Sequence, residues 1–123
     1  MKNDCGCSGN TLIFACCGGA DAGEITDKAA RELTRKGIGK MSCLAGIGGN
    51  ISGIVMSTKG AGRVLVIDGC PLYCAKKTME RAGINPFMHI CLSDLGLKKG
   101  ESPLNEHNLQ KVLDKAEEML RCV

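Results

Sequence analysis

Aromatic side chains are almost missing from this chain: its 123 residues include two Phe, one Tyr and no Trp. The core must therefore be filled by Ile, Leu, Val, Ala and Met, and the surface has no row of rings on which single-stranded nucleic acid could stack. Charge of one sign is also lacking. Sixteen basic residues stand against thirteen acidic ones, a net of +3 spread along the chain, which is too weak to point to DNA. No apolar stretch approaches the roughly 18 residues of a membrane-spanning helix. The first ten residues, MKNDCGCSGN, contain no apolar h-region of a secretory signal, so a cytoplasmic protein is expected.

What is abundant is cysteine, nine residues, and glycine, seventeen. Short cysteine-dense chains are usually secreted disulfide scaffolds, but a cytoplasmic setting turns the thiols into metal ligands, redox groups or small apolar side chains. An odd number also rules out complete internal pairing. The sequence divides into a Gly/Cys leader, residues 1–10, and a single domain over 11–123 whose length suits one core.

The run TLIFA at Thr11–Ala15 ends at Cys16-Cys17 and a glycine pair, as a buried parallel strand would. Asp21 and Glu24 form a capping box for a helix carrying Ile25, Ala29 and Leu33 at helical spacing, and Gly37 stops it. Residues 40–43 read as a second short strand, followed by a loop at Gly46, Gly48 and Gly49 and a modest helix using Ile51, Ile54 and Val55. Residues 63–67 (RVLVI) are the clearest strand. The chain then turns through Asp68-Gly69-Cys70 into Pro71 at the first position of a helix whose apolar stripe is Leu72, Ala75, Met79 and Ala82, ending at Gly83. Residues 86–92 predict a fourth strand, 94–101 an exposed loop, and a last helix from near Pro103 buries Leu109, Val112, Leu113, Ala116 and Leu120. This alternation predicts a small three-layer αβα domain of flavodoxin or Rossmann type, with a mainly parallel sheet of about four strands.

In that architecture the cysteines acquire positions. Twenty-seven residues separate Cys16 from Cys43, and again Cys43 from Cys70, so each falls where a strand ends. Ligands of open α/β sheets bind at the carboxyl edge, where helix N-termini favour thiolates. Cys70 at the helix cap and Cys74 one turn on can share a face. Together with Cys16 and Cys43 they supply the four sulfurs that tetrahedral Zn²⁺ takes at roughly 2.3 Å each. The bland alternative is that Cys16 and Cys43 are buried small hydrophobes at strand ends.

Three segments then occur in order: Cys16-Cys17-Gly18-Gly19-Ala20-Asp21-Ala22-Gly23-Glu24, Lys40-Met41-Ser42-Cys43-Leu44-Ala45, and Asp68-Gly69-Cys70-Pro71-Leu72-Tyr73-Cys74-Ala75-Lys76-Lys77. Over residues 12–97 the chain resembles the DGC-domain family, named for the central Asp-Gly-Cys and described as chelating zinc through four cysteines. The resemblance implies Cys16, Cys43, Cys70 and Cys74 as the metal ligands. Where the family usually reads Cys-Ser-Gly this chain has Cys16-Cys17-Gly18, so Cys17 is open as a replacement for Cys16, since adjacent strand residues face opposite ways.

The remaining candidates divide between chemistry and packing. Cys5 and Cys7 form a C-x-C pair that captures or hands over a metal ion, forms a disulfide, or simply lies in a solvated tail. His89 and Cys91 share a strand face and read as core residues or as part of a mixed site. Cys122 and His107 read as surface or packing positions. Gly18, Gly19 and Gly23 are not followed by Gly-Lys-Ser/Thr, so nucleotide binding is not expected. No Arg closes an anion loop after Cys70 or Cys74, unlike a phosphatase-type nucleophile. Asp68 reads as a turn residue or as the holder of an N–H near the metal. The expected function is non-enzymatic binding of one Zn²⁺ by Cys16, Cys43, Cys70 and Cys74, the metal ion being the one partner assigned. The alternatives are a thiol/disulfide enzyme or sensor using Cys70 and Cys74, or an iron–sulfur cluster on the same four sulfurs.

Overall fold

The computed structural model describes residues 10–121, so the leader with Cys5 and Cys7, and Cys122, lie outside the described residues. Four strands, β1 (Thr11–Ala15), β2 (Lys40–Met41), β3 (Arg63–Asp68) and β4 (Met88–Cys91), form one sheet in the order β2-β1-β3-β4. All three pairings are parallel. The longest register sets Thr11 opposite Arg63 and Ala15 opposite Ile67. Both central strands are buried along nearly their whole length, which is why they read as continuous apolar runs rather than alternating ones.

Helices α1 (Asp21–Arg35), α2 (Leu44–Gly48), α3 (Ser52–Lys59), α4 (Cys74–Arg81) and α5 (Glu106–Leu120) cover the two faces. Side-chain alternation sorts them. Ile13, Ala15, Leu65, Ile67 and Ile90 pack with Ile25, Ala29 and Leu33 of α1 and Val112, Leu113 and Ala116 of α5. Leu12, Phe14, Val64 and Val66 point the other way, toward Ile47, Val55, Ala75 and Met79 of α2, α3 and α4. The expected three-layer αβα architecture with a parallel sheet is therefore the one observed.

Local expectations needed correction at several places, among them residues 86–101, where β4 is confined to Met88–Cys91, a 3-10 turn covers Leu92–Leu95 and Leu97 is buried. The glycines at 46 and 48, read as loop, lie inside α2, and Asn50 at φ 57° separates α2 from α3. Strand β2 is two residues long, although Ser42 N extends its pairing to Ile13 O at 2.9 Å, and Cys43 becomes the residue before α2. Helix α4 starts at Cys74, with Tyr73 as its left-handed cap at φ 56°, so Cys70 and Pro71 belong to the preceding turn and Leu72 is 60% exposed rather than core. Asp21 does not form a capping box: Ala20 precedes the helix, and the Asp21 carboxylate accepts the amides of Gly100 at 2.8 Å and Ser102 at 2.9 Å. Among the described residues no helix is long and apolar enough to cross a membrane.

Two glycines set how closely the loops at the carboxyl edge pack. A Cβ on Gly23 would stand 2.5 Å from Gly18 O, and one on Gly69 would stand 3.0 Å from the Ala22 backbone. The turn after β1 thus lies on the start of α1, which in turn lies on the turn after β3. Gly23→Ala should gain up to about 1 kcal/mol of helix propensity, yet the obstacle is backbone that cannot swing aside. Overpacking of this kind costs about 1–3 kcal/mol, so a lowered urea midpoint at unchanged slope is expected.

Hydrogen bonds from the backbone amides of Gly100 and Ser102, and then of Ala22 and Asp21 itself, hold the Asp21 carboxyl below the usual aspartate range. A depressed carboxylate stabilises the fold above its unfolded pKa of about 4, and that contribution disappears as pH falls through the lower folded value. Asp21→Asn should therefore lose stability near neutrality and show a shallower decline below about pH 4, measured by urea denaturation across pH.

Candidate functional site

Strand order places the crevice. The chain leaves β1 toward β2 on one side and leaves β3 toward β4 on the other, so the reversal lies between β1 and β3, at whose carboxyl ends ligands of open α/β sheets bind. Cys16 continues β1 by one residue, its amide donating to Ile67 O at 3.1 Å. Cys70 follows β3 by two residues, Cys74 is the first residue of α4, and Cys43 precedes α2. All four sequence-derived cysteines therefore reach the same edge of the sheet, and none of them is in a disulfide.

They are distributed over two adjoining clefts. The larger, of about 860 Å³, has Cys16, Cys17 and Cys43 on its walls together with Asp27, Arg31 and Met41. The smaller, of about 170 Å³, includes Cys16, Cys70, Cys74, Asp68 and Lys99. Cys16 alone among the cysteines lines both. Among the described residues no three Cys, His, Asp or Glu side chains stand close enough to hold a metal ion. The donors are of the right chemistry for a thiophilic ion and occupy one rim, in two groups that meet at Cys16.

Cys16 and Cys17 both line the larger cleft, and they part because Cys17 leaves strand geometry at the turn after β1. The Thr26 hydroxyl donates to Gly23 O at 2.7 Å, so the Cys16 thiol, 3.5 Å from Thr26 Oγ1, is the donor in that contact. Cys17 takes up φ 54° and turns its sulfur to Ala15 O at 3.3 Å, with Asp27 Oδ1 at 3.9 Å. Left-handed backbone at a non-glycine residue costs about 1–3 kcal/mol, and here it recurs at Cys17 and Tyr73, on either side of the edge.

Asp68 is 1% exposed and fully committed. Its carboxylate accepts the backbone amides of Ala75 at 2.8 Å and Lys76 at 3.0 Å, and His89 Nε2–H at 2.8 Å. These bonds offset the cost of burying a carboxylate and satisfy amides at the start of α4 that have no partner within the helix. The turn role considered for Asp68 is thus realised as a helix cap acting from seven residues away. His89 and Cys91 do share a face, but Cys91 is buried outside both clefts with its sulfur 3.1 Å from Ser93 Oγ. His107 is exposed on α5. The contribution of His89 was missed in the sequence. Its available signal was the period of two in β4, which puts residue 89 on the face covered by α4.

The Cys17 thiol is pushed above its ordinary range, first by burial of the sulfur although the residue as a whole is exposed, and then by the Asp27 carboxylate. Cys16 and Cys43 add to the effect and Arg31 opposes it. Iodoacetamide alkylation of Cys17 should accordingly rise with pH at a midpoint above the usual thiol value of about 8.5, and Asp27→Asn should move that midpoint down. Residue-resolved mass spectrometry reads both.

The DGC domain as a family matches residues 12–116. The anaerobic and virulence modulator AnvM of Pseudomonas aeruginosa is 36% identical over 88 residues, which span 72% of this chain and 67% of that protein. No solved structure matches the chain. With the Asp68-Gly69-Cys70 turn at the mouth of the crevice and the match extending over most of its length, the chain belongs to the DGC-domain family.

Proposed function

We propose that the chain is a non-enzymatic zinc-binding protein that holds one Zn²⁺ with Cys16, Cys43, Cys70 and Cys74. The single observation carrying this reading is that Cys16 lines both clefts, joining Cys43 on one side to Cys70 and Cys74 on the other. Cys17 enters only the larger cleft, which favours Cys16 as the ligand. When bound, a four-thiolate zinc is closed to water and supplies structural cross-linking rather than Lewis-acid chemistry. The chain's own residues would bring the two sulfur groups together, coupling metal uptake to ordering of the loops after β1, β2 and β3. Its relative AnvM is named as a modulator, and we carry that over as a regulatory rather than catalytic role.

A second reading is favoured by the absence of a ready-made three-donor cluster among the described residues. Cys70 and Cys74 share the small cleft and would form a reversible disulfide as a thiol sensor. An iron–sulfur cluster on the four sulfurs is the remaining alternative.

Anaerobically purified protein should contain about one zinc per chain, as a closed tetrahedral site requires, without visible absorbance. Cys74→Ser should lose most of the metal, whereas Cys17→Ser and Cys91→Ser should retain it. Metal-free protein whose Cys70 and Cys74 titrate as a two-electron couple against glutathione would replace zinc binding by the redox reading, and visible cluster absorbance would replace both.

A further inference from the structure

We propose that His89 is a positioning residue for Cys74, a role that deepens the reading of this edge as a thiol site and rests on it. The chemistry-bearing segment 70–74 contains no histidine, yet His89 touches its Tyr73 directly and reaches the residues after Cys74 through Asp68. Its Nε2–H donates to Asp68 Oδ2 at 2.8 Å, and the same carboxylate holds the amides of Ala75 and Lys76, the two residues after Cys74. On the other side the His89 ring meets the edge of the Tyr73 ring, the residue before Cys74, at 5.3 Å and 90°. The Lys76 ammonium lies 5.2 Å from the Tyr73 ring centre, which closes a circuit from His89 through Asp68, Lys76 and Tyr73 back to His89, with Cys74 enclosed in sequence.

The circuit answers a local problem. Tyr73 is in left-handed backbone and no side chain caps α4 from its own N-cap position, so the first turn is held by tertiary contacts instead. Asp68 supplies the acceptor: one oxygen takes the Ala75 amide, and the other is shared by the Lys76 amide and His89. His89 braces that second oxygen where the Lys76 amide meets it. The histidine side chain is 19% exposed and Asp68 is almost wholly enclosed, so the bond is sheltered and geometrically constrained. Partners of this kind orient a donor group without touching the bound species and affect it by roughly 10–100-fold.

The test reads backbone amide exchange residue by residue in the reduced, metal-free chain, by NMR. His89→Leu removes the donor and the ring and loosens the first turn of α4, so the amides of Ala75 and Lys76, which donate to Asp68, should exchange about tenfold faster, as loss of one charge-assisted hydrogen bond implies, while the amides of α1 keep their rates. His89→Gln, whose amide can still donate to Asp68, should stay within about twofold of the parent chain, a rescue that simple loss of packing would not give. Unchanged exchange at Ala75 and Lys76 in folded His89→Leu overturns the proposal, as does an equal rise in α1. Should His89→Leu not fold by circular dichroism, the same comparison in His89→Asn, which retains polarity but shortens the reach, decides by the same criteria. In a parallel arm, Co²⁺ binding should weaken about 10–100-fold in His89→Leu and recover in His89→Gln. If the parent chain takes up neither Co²⁺ nor Zn²⁺, the metal reading fails, while the exchange comparison still decides the role of His89.

Discussion

The parallel pairing of β1 with β3 is the constraint on which the rest of the molecule depends. It aligns Ala15 with Ile67, so the chain leaves both strands at the same level and the turns beginning at Cys16 and Gly69 start side by side. Because β2 and β4 lie on opposite outer flanks, no strand or crossover fills the space between those turns. The two clefts are a consequence of topology before they are a consequence of any particular side chain. Small residues then allow the turns to come together, with Gly23 against Gly18 and Gly69 against Ala22.

Two aspartates tie this edge to distant parts of the chain. Asp21, at the start of α1, accepts amides from Gly100 and Ser102, about eighty residues away. Asp68, at the end of β3, accepts amides at the start of α4 and a proton donor on β4. Each carboxylate sits near helix amides that favour negative charge, and each converts that local preference into a long-range link. The positive ends of α1 and α4 are thereby used to build the edge rather than left wholly open to a ligand.

Sequence reasoning recovered what burial and periodicity encode and lost what tertiary contacts encode. The runs at Thr11–Ala15 and in β3, and the stripe Val112, Leu113, Ala116 and Leu120, are apolar for their whole length or at helical spacing, so the layers were legible. The glycines at 46 and 48 suggested a loop because helix propensity penalises them, but Gly46 lies in α2 with the end of the Ile54 side chain packed over it, where a Cβ would stand 2.2 Å away unless Ile54 moved. Pro71 signalled a helix start three residues early because proline also suits tight turns. The four cysteines could be placed at one edge, since strand ends set their level. Their division between two clefts could not, because that depends on which way Cys16 and Cys43 turn after leaving the sheet. Asp68 and His89 are twenty-one residues apart, and no local pattern announces such a pair.

The position of Cys16 on the wall shared by both clefts makes it a common resource. A sulfur atom engaged by an electrophile on one side is withdrawn from the other at the same moment. The two compartments therefore share a wall, and a chemical modification of that one residue alters the lining of both.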